Sequence, residues 1–221
     1  MTIERILEPH SNTYKYLIHA ARFDADYHRT RFEDVDKRIH LRGANTILDV
    51  PCGPGSLTRM IARECPASTV VGIDKDAMAI DMAQKMNGGL PNLSYRVGDV
   101  YDLQEPDSFY DAVICWASLH HFEDPQKAIG ELLRVTNQKG RVLIYDFSRD
   151  TSMGQLSALQ MMEEAGTIDV VTMADSIKSS LTFYELIEIV GRLRLNGIDL
   201  SQGECEVAGL NIQTLTCKLT K

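Results

Sequence analysis

The chain has 221 residues, 44% of them hydrophobic, which suits one domain with a full core and nothing that requires a second. Its formal charge of −8 would repel a phosphate backbone unless a local basic patch compensated, so nucleic acid is not expected as a partner. No apolar stretch approaches a membrane span, and Met1 to Leu17 is broken by charges and Pro9, so no signal peptide is expected. Five cysteines, at 52, 65, 115, 205 and 217, form no C-x-x-C pair and leave one over, which fits reduced thiols in a cytoplasmic protein.

Taken in chain order, residues 12–42 set Tyr14, Leu17, Ile18, Ala21, Phe23 and Tyr27 at helix-compatible spacing. One or two helices packed across the entrance of a site are expected there. In Ile47-Leu-Asp-Val-Pro-Cys-Gly-Pro-Gly-Ser-Leu-Thr58 an apolar run stops at an acid and opens into a glycine-bearing turn, with helix-compatible residues after it. Without Cβ atoms, Gly53 and Gly55 can take positive φ and let the backbone approach a bound molecule, while the helix behind offers unpaired N–H groups to an anionic end. A dinucleotide fingerprint fails because no third glycine follows at the required spacing, and a P-loop fails because no Lys-Ser or Lys-Thr pair follows.

Val70-Val-Gly-Ile-Asp74 and Leu93-Ser-Tyr-Arg-Val-Gly-Asp99 repeat the pattern of an apolar run ending in an acid, each after a segment of helix length. Three parallel strands would align Asp49, Asp74 and Asp99 at their carboxyl ends, the edge where open α/β sheets bind ligands. The second acid is placed to accept bonds from a ribose diol, and the third to reach an adenine amino group or its neighbours. Tyr110 to Ser118 follows as a fourth strand and its exit. Pro125 to Val135 reads as a helix with Ala128, Leu132 and Val135 on its buried stripe, and Gly140 precedes a fifth strand, Arg141 to Phe147.

Residues 148–180 carry Met153, Leu156, Leu159, Met161, Met162 and Met173, and read either as an adaptable lid over an apolar substrate or as a surface helix packed on the sheet. Thr182 with Glu185 forms a capping box that starts a helix through Leu186, Ile189, Val190 and Leu193, stopped by Asn196-Gly197. Alternating segments near 200–207 and 211–219, joined at Gly209-Leu-Asn211, close the chain as a strand pair.

With these residues in place, the chain resembles the class I S-adenosylmethionine-dependent methyltransferases, closely over roughly residues 45–147 and by pattern elsewhere. The resemblance implies a single α/β domain with a Rossmann-like, doubly wound, seven-stranded sheet, mostly parallel with an antiparallel C-terminal strand and helices on both faces. Residues 1–42 would be covering helices, 45–147 the cofactor-binding core, 148–180 a lid-like insertion, and 181–221 the last helix and strand pair. S-adenosylmethionine is the implied cofactor, leaving as S-adenosylhomocysteine. Its methionine part would meet Asp49, Pro51, Cys52, Gly53 and Gly55, its ribose Asp74 beside Lys75, and its adenine Met78, Asp99 and Val100, with Trp116 at the exit of the fourth strand. Pro51 stands where the family usually has its first glycine, so the turn must be entered without positive φ at that point. Leu119-His-His-Phe-Glu-Asp-Pro125 and Lys139-Gly-Arg-Val-Leu-Ile-Tyr-Asp-Phe-Ser148 are most similar to small-molecule enzymes, the quinone-biosynthesis C-methyltransferases among them.

A sulfonium methyl is already electrophilic, so such a site needs alignment of an acceptor and, for some acceptors, removal of a proton. His120 and His121, just past the fourth strand, are the candidate bases; the alternative is that one packs against the cofactor or loop and the other is solvated. Tyr14, Tyr27, His121 and Phe147 are candidate substrate contacts. No histidine shows metal spacing, and no metal is expected. The expected acceptor is a small molecule whose reacting atom, whether oxygen, nitrogen, sulfur or carbon, stays open, as does the oligomeric state. A second reading also stays open, that of a cofactor-binding partner or regulatory protein without catalysis. A short-chain dehydrogenase is excluded because no tyrosine has a lysine four positions later.

Overall fold

The computed structural model describes residues 25–164, 173–193, 195, 197–207 and 210–221. Helix α1 (Ala25–Ile39) and a 3-10 turn (Leu41–Gly43) lead into β1 (Thr46–Asp49), α2 (Ser56–Glu64), β2 (Thr69–Asp74), α3 (Ala77–Lys85) and β3 (Leu93–Val97). Then come β4 (Tyr110–Trp116), a 3-10 turn (Leu119–His121), α4 (Pro125–Val135), β5 (Thr136–Phe147), α5 (Met153–Glu164) and α6 (Met173–Ser179). Helix α7 (Phe183–Gly191) and strands β6 (Gly197–Val207) and β7 (Leu210–Thr220) follow. The sheet order is β3-β2-β1-β4-β5-β7-β6, with β1 to β5 parallel and β7 antiparallel to both of its neighbours. Strand order reverses between β1 and β4, which makes their carboxyl ends the ligand-binding switch point of the fold.

Both faces of β1, β2 and β4 are buried, so adjacent residues go to opposite cores, whereas the edge strand β3 exposes Ser94 and Arg96. Ile47, Val70, Ile114 and Leu143 pack with α1, α2 and α3, whereas Leu48, Val71, Val113 and Val142 pack with α4 and α7. Helix α1 buries Phe32, Val35 and Ile39, spaced by three and four, in the first of these cores. It therefore lies along a face of the sheet, and its first turns alone rise toward the carboxyl edge. Tyr14 and the rest of 12–24, the side chain of Tyr27, and Gly209 of the expected hairpin turn lie outside the described residues.

Strand β5 begins at Thr136, five residues before the expected Arg141. Thr136 pairs with Tyr110 and Arg141 with Ala112, so the extra residues form a bulge. Gly140 permits it, because a Cβ there would lie 2.5 Å from Thr136 Cγ2 and 2.8 Å from the Tyr110 carbonyl oxygen. Helices α5 and α6 bury Leu156, Leu159, Ala174 and Ile177 with Ile212 of β7 and with Phe147, so they sit on the sheet beside the turn that carries the histidines.

Candidate cofactor and active site

The loop after β1 is held from both sides. Val50 N donates to the Ile114 carbonyl of β4 at 2.9 Å, and Cys52 N donates to the Ile73 carbonyl of β2 at 2.9 Å. The Val50–Pro51 peptide is cis, and positive φ appears only later in the loop, at Gly53 (53°) and Gly55 (73°). The two glycines serve different needs. A Cβ at Gly53 would meet nothing within 4 Å, so that residue supplies a left-handed turn beside open space. A Cβ at Gly55 would lie 2.4 Å from the Tyr95 hydroxyl oxygen, which itself donates to the Gly55 carbonyl at 3.0 Å. Tyr95 thus reaches from β3 beneath the loop and fixes its height. Arg59, buried in α2, donates to the Pro54 carbonyl at 2.7 Å and to Ser56 Oγ at 3.1 Å, closing the loop from the other side.

The three acids descend in steps along the edge. Asp49 pairs with Gly72, so Asp74 projects two residues farther, and Asp74 pairs with Val97, so Asp99 lies two residues beyond that. Asp49 is 2% exposed and accepts from Thr58 Oγ1 at 2.6 Å. Burial pushes its carboxyl up to about 7, opposed by the Thr58 bond and the charge of Arg31. Burial also raises Asp74, which accepts from Asp76 N at 2.9 Å and Gly53 N at 2.8 Å, bonds that pull the other way. Each of its oxygens keeps a second lone pair for a ligand hydroxyl. Asp99 is exposed and accepts from Tyr101 N at 2.9 Å. Met78 and Val97 present apolar surface to solvent beside these acids, at 39% and 57% exposure, while Val100 is buried below.

Cys52 is buried in the loop, and burial raises its thiol well above the ordinary value, which describes a packed side chain. Trp116, at the end of β4, is partly exposed and stacks on Tyr145 with ring centroids 4.1 Å apart. The Arg31 guanidinium of α1 lies on this stack, 5.0 Å from the Trp116 ring centroid.

The two histidines occupy different environments. His120 Nδ1 lies 2.7 Å from Asp146 Oδ1, and His120 N donates to Asp146 Oδ2 at 2.8 Å, both side chains being 3% exposed. Phe147 N adds a further bond to the same carboxylate at 2.8 Å. His121 is exposed, with its ring 4.0 Å from that of His120. Partial desolvation, then the neighbouring His120, lower its imidazole below the usual value; Lys75 acts the same way and Asp146 opposes. That Lys75, after β2, and His121, after β4, influence one another places both on the same rim.

Thr58, Arg59, Tyr95, Arg31 and Asp146 were not among the residues expected at the site. Asp146 was readable, being a fourth acid at the end of an apolar strand run. The other four carry no motif signal, because their roles come from tertiary contacts. A separate concavity of about 670 Å³ opens at the opposite edge of the sheet, near Ile39, Asn45, Asp111, Asn137 and Lys139. Its acid is already engaged: Asp111 accepts from Asn45 N, Thr46 N and Asn137 Nδ2, and none of the stepped acids borders it. Among the described residues, no three histidine, cysteine, aspartate or glutamate side chains are grouped so as to hold a metal ion.

A switch-point glycine loop, stepped acids on three parallel strands, and this strand order are features of the class I S-adenosylmethionine-dependent methyltransferases, and the chain is similar to that family. Residues 47–140 match the family model described as Methyltransferase domain. An uncharacterised methyltransferase of Schizosaccharomyces pombe is 32% identical over 111 residues, 47% of this chain and 40% of that protein. The demethylmenaquinone methyltransferase of Thermotoga maritima is 28% identical over 100 residues, 45% of this chain and 42% of its own. The chain thus spans less than half the length of these curated relatives. In shape it is similar to the plantazolicin methyltransferase BpumL, solved with a substrate analogue and S-adenosylhomocysteine, at a TM-score of 0.70 with 17% identity, covering 96% of this chain and 92% of that one.

Proposed function

We propose that the chain binds S-adenosylmethionine and transfers its methyl group to a small-molecule acceptor by direct displacement. The observation that carries this reading is the stepped set Asp49, Asp74 and Asp99 around a glycine loop with open space at Gly53. The donor set fits the cofactor's chemistry: acids for an ammonium, a ribose diol and an adenine amino group, and the apolar surface of Met78 and Val97 for the base. Pro51, Cys52, Gly53 and Gly55 would border the amino-acid arm, and Lys75 and Val100 would flank the ribose and the adenine. When bound, the cofactor supplies an electrophilic methyl group.

What the protein must add is alignment and, for an acceptor that carries a proton, a base. Trp116, Phe147 and the exposed His121 border the rim where an acceptor would approach, and Tyr14 and Tyr27 are proposed to complete it from the amino-terminal region. His121, held in its neutral form, can take a proton. His120 serves it from behind, fixed by Asp146. Helices α5 and α6 close the wall beside this turn, which supports reading 148–180 as a cover for the acceptor. The net charge of −8 supports a small, non-nucleic-acid acceptor, and five free thiols support a reducing, cytoplasmic setting. No described helix is long and apolar enough to cross a membrane.

The test is transfer of a labelled methyl group from the cofactor into a metabolite extract, with Asp74→Ala as control. Transfer by the wild type, and cofactor affinity about ten- to a hundredfold weaker in the mutant, are expected from loss of charge-assisted bonds. Tight cofactor binding with no transfer to any acceptor would favour a regulatory binding protein.

A further inference from the structure

Beneath the loop lie two buried hydroxyl groups that connect it to the first of the stepped acids. We propose that Tyr95 and Thr58 are positioning residues for the cofactor, forming a strut of two hydroxyls that fixes Gly55 and Asp49 together. The proposal rests on S-adenosylmethionine as ligand and gives a role to two side chains that stand behind the residues meeting it.

Sheet register assembles the strut. Asp49 pairs with Gly72 and Gly72 with Tyr95, so the three stand in line across β1, β2 and β3. A glycine in the middle lets the tyrosine ring cross β2: a Cβ at Gly72 would lie 2.6 Å from Tyr95 Cδ1. Beyond Gly72 the Tyr95 hydroxyl donates to the Gly55 carbonyl at 3.0 Å and has Thr58 as a second hydrogen-bonding neighbour. Thr58 in turn donates to Asp49 Oδ2 at 2.6 Å. Asp49, Thr58 and Tyr95 are 2%, 0% and 6% exposed, so bulk water does not compete for these bonds.

Counting hydrogens gives the strut a direction. An ionised Asp49 only accepts, so the single Thr58 hydrogen goes to it and the Thr58 oxygen is left to accept from Tyr95. The Tyr95 hydrogen then lies between Thr58 and the Gly55 carbonyl, and hydroxyls ordered in this way strengthen one another. When Asp49 is protonated, Thr58 loses its charged acceptor and that order is lost. Other groups act on Asp49 as well: Arg31 of α1 favours its ionised form and Asp74 of β2 opposes it, while the thiols of Cys52 and Cys115, raised by burial, stay neutral beside it. Arg59 of α2 acts on Tyr95 and holds the Pro54 carbonyl.

The experiment measures S-adenosylhomocysteine affinity by calorimetry on both sides of neutral pH. Tyr95→Phe keeps the ring that crosses Gly72 and should weaken binding by about three- to tenfold where Asp49 is ionised. Thr58→Val should raise by about one unit the pH below which affinity falls, because the carboxylate loses a donor that favours its charged form. Thr58→Ser should restore the wild-type midpoint. Val keeps the shape of Thr and Ser keeps its hydroxyl, so a packing role predicts the reverse order. In Tyr95→Phe/Thr58→Val the loss should be smaller than the product of the two single losses, since either change alone breaks the strut. Losses that multiply, an unchanged midpoint in Thr58→Val, or wild-type affinity in Tyr95→Phe would each overturn the proposal. If melts show Thr58→Val unfolded, the affinity of Tyr95→Phe and the midpoint of Thr58→Ser decide it. If the wild type binds no S-adenosylhomocysteine at any pH, the cofactor reading itself falls, a result distinct from the others.

Discussion

At the scale of single residues, the site depends on groups whose charge is set by burial. Asp49 titrates at about 7 in the folded protein, against a usual value of 3.8, because it is desolvated. Between these two values the unfolded chain has released a proton that the folded one keeps, so this residue lowers stability as pH rises from about 4 to 7, and the loss levels off above. Ligand binding runs the other way: an ammonium requires the ionised acid, so affinity for S-adenosylhomocysteine should fall as pH drops below about 7. Asp49→Asn should flatten that dependence, and titrations across the range would detect it. The histidines should also separate. His120→Gln breaks a buried bond to Asp146 and should cost about 1 to 3 kcal/mol in stability, measured by denaturant unfolding. His121→Gln should leave the fold intact and lower turnover by about a hundredfold to ten-thousandfold at unchanged cofactor affinity, as expected for a lost base. The acid limb of the wild-type turnover profile should lie below the usual histidine value, in line with the lowered imidazole. Retained turnover and an unchanged profile in His121→Gln would remove it from the mechanism.

At the scale of elements, the strand–loop–helix unit β1–α2 works because β3 supports it. Tyr95 pairs in register with Gly72 and also fills the space at Gly55, where a methyl group would overlap its ring. Gly55→Ala adds this overlap to an unfavourable left-handed φ, so it should destabilise the protein by about 1 to 3 kcal/mol and weaken cofactor binding as well. Gly53→Ala, with no atom in the way, should cost the smaller part, that of φ alone; thermal melts of the two mutants make the comparison. The loop and the strand-end acids were legible in the sequence because each is a local signal, an apolar run meeting an acid or a glycine turn. Tyr95 was not: it reads as one more strand residue, and its hydroxyl meets the loop only through sheet register. The start of β5 was hidden for a similar reason, since Gly140 signals a strand entrance locally and a bulge only against Tyr110. The face that α1 presents was set by Phe32, Val35 and Ile39, whereas the aromatic positions that suggested a cover lie earlier in the chain.

At the scale of the whole molecule, ligand and fold are coupled through the switch point. The loop, α1 and the ends of β1, β2 and β4 meet there, so a ligand that bridges them binds the folded state alone. At about a hundred times its dissociation constant, S-adenosylhomocysteine should add about 2.7 kcal/mol of stability and raise the melting temperature by roughly 5 to 10 °C. NAD should give no comparable shift, since the loop lacks the third glycine of a dinucleotide fingerprint; a shift with NAD alone would overturn the proposed cofactor.

The order of the last two strands bears on how the molecule is assembled. Strand β7 lies between β5 and β6 although β6 precedes it in the chain, so β6 has no sheet neighbour until β7 has been made. The two pair along their full lengths, from Gly197 with Thr220 to Val207 with Leu210, whereas β7 meets β5 through the seven pairs between Arg141–Thr220 and Phe147–Thr214. On a growing chain the parallel part of the sheet can therefore form around the cofactor loop while its β5 edge waits, and the hairpin then docks onto that edge as one prepaired piece. Residues Ser148 and Gln213, joined by a 2.8 Å backbone bond next to the histidine turn, come together only at that docking step. The wall beside the histidine turn is thus complete only when the carboxyl-terminal hairpin is in place.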